Sequence, residues 1–147
     1  MALKDVDLKI IKFFKKISGG ISRFSLFAVF FWFGLLKVVG LSPASQVVQN
    51  LFNETMPIME FSVFIIIFGL FECLIGILFL IPGAERGVIP LLFIHMIMTA
   101  GPLFLLTGET WSATLVPTLE GQYIIKNLAI IAVAIGIAAN LRPISKR

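Results

Sequence analysis

Residues 57–82 read PIMEFSVFIIIFGLFECLIGILFLIP. The run between the two prolines is long enough to cross a bilayer, whose hydrocarbon core takes about 20 helical residues. Near its middle sits Glu72. An ionised side chain at that depth costs about 3 kcal/mol on insertion scales, so Glu72 has to be neutral, paired or beside water, and it marks a site by default. The rest of the chain is read for what shelters it.

Of 147 residues, 59% are hydrophobic and 14% charged, against about 45–50% and 25% in soluble domains. Mean hydropathy is +1.03. Such a balance predicts an all-α integral membrane protein. The net charge of +4 raises the question of nucleic acid, but the cations are not set in a groove with base-stacking aromatics. Ten of the 12 Lys and Arg residues lie near the two ends of the chain or at Arg86, a distribution that speaks of membrane topology instead. Cys73 is the only cysteine, which excludes an internal disulfide and a CxxC redox pair.

Residues 2–17, ALKDVDLKIIKFFKKI, place Leu3, Val6, Ile10, Phe13, Phe14 and Ile17 at helical spacing, with Lys9, Lys12, Lys15 and Lys16 on other faces. Residues 1–20 therefore read as an amphipathic interfacial helix, its lysines directed at anionic headgroups and its end set by Ser18-Gly19-Gly20. No A-x-A-like cleavage site follows, so the segment is kept in the mature chain. Residues 21–147 form a single four-span domain, with spans at 21–41, 58–81, 88–106 and 122–141. The connections 42–57 and 107–121 are polar loops, and residues 82–87 a tight turn at Pro82-Gly83. An even number of spans puts both termini on one side. Basic residues gather at Lys4–Lys16, Arg86 and Arg142, Lys146 and Arg147, while both longer loops carry acids and no Lys or Arg. By the positive-inside rule the termini are cytoplasmic.

Depth is counted at about 1.5 Å per residue from the cytoplasmic end of each span. Glu72 and His95 come out at about 13 and 11 Å, as an intramembrane polar pair on adjacent helices. Lys37 and Lys126 come out together at about 21–22 Å, level with Glu60 and Glu120. These four, with Trp32 and Tyr123, are the candidate ligand-binding residues of a pocket near the outer surface. The stripe Lys126, Ala129, Val133, Gly136 and Asn140 should face the bundle, and Gly34 and Gly40 beside Lys37, with Gly69 and Gly76 beside Glu72, should let helices approach closely. No GxSxG, HExxH or P-loop is present, no catalytic residue is assigned, and one His with one Cys cannot build a metal centre alone.

Two stretches, VFFWFGLLKVVGLSP (29–43) and PTLEGQYIIKNLAIIAVAIGI (117–137), with FGLFECLIGILFLIPG (68–83) between them, resemble the DoxX-like family of small four-span bacterial membrane proteins. The W-x-G-x-x-K motif at Trp32–Lys37 and the E-G-x-Y-x-x-K-N motif at Glu120–Asn127 carry the likeness. The resemblance implies a four-helix bundle in the bacterial inner membrane with links to thiol or oxidative stress. It also implies a quinone-like ligand and a partner protein in a redox complex. The expected function is a membrane-embedded binding subunit, whose partners are the bilayer, a redox protein and further copies of the chain. A proton-coupled exporter using Glu72 and a structural or assembly factor are the rivals.

Overall fold

The computed structural model describes residues 3–56 and 58–143; Pro57, Lys146 and Arg147 lie outside the described residues. The elements are α1 (Leu3–Val38), α2 (Ser45–Thr55), α3 (Phe61–Leu80), α4 (Glu85–Ala100), α5 (Pro102–Leu105), α6 (Thr107–Thr110), β1 (Trp111–Ala113), β2 (Val116–Pro117), α7 (Leu119–Ile125) and α8 (Asn127–Ala139). The stretches Leu3–Val38, Phe61–Leu80, Glu85–Leu105 and Leu119–Ala139 are each long and apolar enough to cross a membrane. They correspond one to one with the spans read in the sequence.

α1 and α3 run antiparallel with their backbones in close approach. A Cβ added at Gly34 would lie 2.5 Å from the carbonyl oxygen of Gly69, and one at Gly69 2.7 Å from that of Gly34. Gly76 meets the backbone of Phe31 at 2.9 Å in the same way. Three glycines thus let two main chains touch where any side chain would hold them apart. The core continues outward from this seam through Leu26, Phe30, Ile75 and Phe79 to Val88, Leu92 and Met96 of α4 and Ala134 and Ile137 of α8.

Glycine also closes the two turns. At Gly40, φ is +73°, and the bonds from Gly40 N to Lys37 O (3.2 Å) and Leu41 N to Leu36 O (2.8 Å) end α1 in the Schellman manner. Gly83 follows Pro82 with φ +92° in a turn closed from Ala84 N to Ile81 O. Pro then Gly at the centre suits a type II turn. That turn joins α3 to α4 as expected. Pro102 ends α4; Gly101 N takes the Met98 carbonyl at 3.2 Å, and the Thr99 hydroxyl donates to Met96 O at 3.2 Å.

One end of the bundle is tied by Arg23 of α1 pairing with Glu85 of α4 and by Arg86 donating to the Arg142 carbonyl. The start of the first apolar span, the α3–α4 turn and the end of α8 therefore share that end. The other end carries α2 and the β1–β2 hairpin. Asn50 of α2 donates to Glu109 of α6 at 2.8 Å, and Phe52 is buried against Phe61 and Phe64.

Three expectations are corrected. α1 does not break at Ser18-Gly19-Gly20 but runs through: glycine in a helix costs about 1 kcal/mol without forbidding it, and neither Gly19 nor Gly20 has a neighbour that forces a turn. The loop 42–57 holds a helix, because Val47, Val48, Leu51 and Phe52 recur at helical spacing and bury one side. Of the stripe in the last span, Lys126, Ala129, Gly136 and Asn140 are exposed, while Ala134 and Ile137 are buried. Apolar packing against Val88, Leu92 and Met96 decides that rotation.

Replacing Gly34 by Ala should part α1 from α3 and destabilise the bundle by about 1–3 kcal/mol, read as helix loss on titration with dodecyl sulfate. Gly136→Ala, where nothing lies within 4 Å, should leave the midpoint unchanged or raise it.

Candidate functional site

The glycine seam brings Lys37 beside Glu72. Gly34 lies opposite the turn from Gly69 to Cys73, and Gly76 opposite Phe27 and Phe31. Glu72 is therefore level with residues near Phe33, one turn or about 6 Å below Lys37. Cβ atoms tilt toward the N-terminus of their own helix. In an antiparallel pair the Lys37 stem leans down and the Glu72 side chain leans up, and the gap closes.

Lys37 Nζ lies 2.6 Å from Glu72 Oε2. His95 Nε2 of α4 lies 2.8 Å from Glu72 Oε1. Both carboxylate oxygens are engaged, and the three residues are 6%, 5% and 3% exposed in the order Lys37, Glu72, His95. With its oxygens shared between an ammonium and an imidazole, Glu72 is the acceptor. A neutral imidazole that donates to Glu72 from Nε2 leaves a lone pair on Nδ1. That atom is buried and has no hydrogen-bond partner among the described residues.

Phenylalanines wall the centre. Phe68 stacks on the His95 ring at 5.2 Å and 10°, Phe30 meets it edge-on at 5.2 Å, and Phe71 flanks it at 6.2 Å. Lys37 Nζ is 5.6 Å from the Phe68 ring centroid, a distance that adds cation–π attraction to the ion pair. Phe64 stacks on Phe68 at 5.7 Å and Phe52 on Phe64 at 4.6 Å, so a column of rings runs from α2 down to His95. Cys73 is buried with its thiol 3.6 Å from the Phe31 carbonyl, in the role of a packing residue.

The expected pairing of Glu72 with His95 is present. The outer pocket is not assembled as expected: Lys37 turns to Glu72, and of the other candidates Lys126 and Tyr123 meet each other. Lys126 is exposed and lies 3.8 Å over the Tyr123 ring. Glu60 and Glu120 are exposed and form no ion pair among the described residues. Trp32 is 66% exposed on the outer side of α1. A groove of about 300 Å³ beside Lys126, Gln122 and Tyr123 is what the pocket reduces to. A second cavity, about 150 Å³, lies between α4, α7 and α8; Met96, Ala100, Leu103 and Leu128 line it, and Asn127 supplies its polar side chain.

The E-G-x-Y motif has a local cause. A Cβ at Gly121 would press on the Thr110 carbonyl, and Thr118 caps α7 by accepting from Gly121 N at 3.2 Å while donating to Glu109 O at 2.7 Å. Thr110, fully buried, donates to Leu106 O at 3.0 Å. This packing holds the start of α7 against the α5–α6 segment. Neither Thr110 nor Thr118 stands out by composition; the Thr-x-x-Gly capping pattern at 118–121 is the signal in the residues.

No family model, curated protein or solved structure matches the chain. The site is therefore argued from its own geometry.

Removing one partner of a buried pair leaves the other charge unmatched. Lys37→Met should therefore destabilise by about 3–5 kcal/mol in the dodecyl sulfate titration, and adding Glu72→Leu should recover most of the loss.

Proposed function

We propose that the chain is a four-span protein of the bacterial cytoplasmic membrane, akin to the DoxX-like proteins. In this reading it binds a lipophilic molecule of the quinone class and serves a redox partner in oxidative-stress defence. Both ends of the described chain lie on the cytoplasmic side. Support for the membrane comes from the surface of the bundle: Ile66, Ile67, Leu70, Leu74 and Ile77 of α3 are all exposed, and contiguous apolar patches of this kind mark lipid or partner contact. Support for the orientation comes from Arg23, Arg86 and Arg142, gathered at one end.

The observation that carries the ligand reading is the orphaned Nδ1 of His95. A buried polar atom without a partner costs about 1–3 kcal/mol, and a ligand hydroxyl would remove that cost. Glu72 orients the ring from its far side, as carboxylate partners do for ligating imidazoles. A quinol offers the matching O–H on an apolar ring, and the rings of Phe30, Phe68 and Phe71 supply stacking surface.

A second reading, a structural or assembly role, has its own observation in the engagement of both Glu72 oxygens within closed packing. A proton-coupled exporter would need Glu72 free for a cation, and Lys37 and His95 occupy it.

A short-chain quinol should raise the melting temperature of the detergent-solubilised protein by several degrees, and the alkylbenzene of equal size without oxygens should not. His95→Phe should abolish the difference. Equal shifts from both compounds, or an unchanged quinol shift in His95→Phe, would move the assignment to the structural reading.

A further inference from the structure

At about 1.5 Å per residue, the 36 residues of α1 extend about 54 Å, well beyond a hydrocarbon core of about 30 Å. Residues 3–18 are the excess. Their apolar positions Val6, Ile10, Phe13 and Phe14 are each at least 40% exposed.

Helical phase gives these residues a direction. At about 100° per residue, positions 3, 6, 10, 13, 14 and 17 fall within an arc of roughly 100°. The bundle-facing positions Leu26, Phe30, Gly34 and Lys37 centre on the order of 150° away on the same helix. The apolar face of residues 3–18 thus points away from the bundle, and the lysines lie on the bundle side. Lys9 and Lys16 lie along one edge of the apolar face, while Lys12 is nearly opposite it.

We propose that residues 3–18 form a docking arm for an anionic lipid surface, reached by bending outward at Gly19-Gly20. A bend away from the bundle turns the outward face toward the bilayer, so that Phe13, Phe14 and Ile10 enter the headgroup boundary while Lys12 stays in water. Lys9 and Lys16 then reach the flanking phosphates. The charges select the occupant: Lys4, Lys9, Lys12, Lys15 and Lys16 stand against Asp5 and Asp7, and juxtamembrane basic clusters draw anionic lipid. Gly19 and Gly20 suit the pivot because nothing lies within 4 Å of a Cβ at either, so a bend there breaks no packing. The inference rests on residues 21–38 crossing the bilayer and is independent of the quinone assignment.

The test uses the full chain in a Cys73→Ala background, with nitroxide labels at Phe13→Cys, Lys12→Cys and Phe24→Cys. The protein is reconstituted in phosphatidylcholine vesicles with and without phosphatidylglycerol, and accessibility to oxygen and to a water-soluble nickel chelate is measured. With phosphatidylglycerol, nickel access at 13 should fall several-fold below that at 12. The difference should shrink in pure phosphatidylcholine, and Gly19→Ala with Gly20→Ala should weaken it. Equal nickel access at 12 and 13 in the anionic vesicles would overturn the proposal. So would protection at 13 that follows protein density with spin–spin broadening, the mark of a second copy on this face. Label 24, on the lipid-facing side of the span, should be oxygen-accessible in both vesicles. Nickel access there would overturn the span itself together with the arm.

Discussion

The salt bridge between Lys37 and Glu72 sets the terms for the rest of the molecule. A lone carboxylate among phenylalanines would be strongly disfavoured, and Lys37 is the cation that its surroundings leave within reach. That contact exists only because α1 and α3 touch through Gly34, Gly69 and Gly76. The glycines do not stabilise anything by themselves. They remove the side chains that would keep an ammonium and a carboxylate too far apart for a 2.6 Å contact.

His95 then adds a third helix to the pair. Its Nε2 contact to Glu72 ties α4 to the α1–α3 seam, and the column of rings from Phe52 through Phe64 and Phe68 ties the same imidazole to α2. α2 is in turn held to α6 by Asn50 and Glu109. A polar centre in mid-bundle is thereby in mechanical contact with the segment that covers one end. The order of contacts is helix, ring column, imidazole, carboxylate and ammonium, and displacement of Phe52 would be felt first at Phe64.

Much of this was legible in the residues. The four apolar runs, the Pro82-Gly83 turn, the close approach at Gly34 and Gly69 and the neighbourhood of Glu72 and His95 all follow from spacing and length. Lys37 was misplaced because depth was counted along Cα positions, and a lysine stem leaning toward its helix N-terminus spans the turn that the count treats as separation. The rotation of α8 was misread for a different reason. Polar and small residues such as Lys126, Gly136 and Asn140 look like an interior stripe in a membrane helix, yet burial followed Ala134 and Ile137, whose shapes fit Val88 and Leu92. Periodicity fixes which residues share a face, not which face wins. α2 was hidden by a polar average, since Gln46, Asn50 and Asn53 dilute the four apolar positions that recur at helical spacing.

Two ion pairs hold α1 at two heights, Arg23 to Glu85 near one end and Lys37 to Glu72 in the middle. The apolar faces between them are rich in Leu, Ile and Phe, residues whose packing tolerates a slip of one turn at modest cost. A slip of that size would carry Lys37 about 5 Å past Glu72 and drive Phe30 or Phe33 toward backbone that now accepts only glycine. The buried charges and the glycines therefore act as register marks on an otherwise degenerate surface, the best attested use of a buried ionic group. Their placement on α1, α3 and α4, and not on α8, agrees with where the fold needs a fixed register. α8 packs through Ala134 and Ile137, with Asn127 at its start donating to Thr99 of α4 at 3.5 Å, and its Gly136 and Asn140 are exposed.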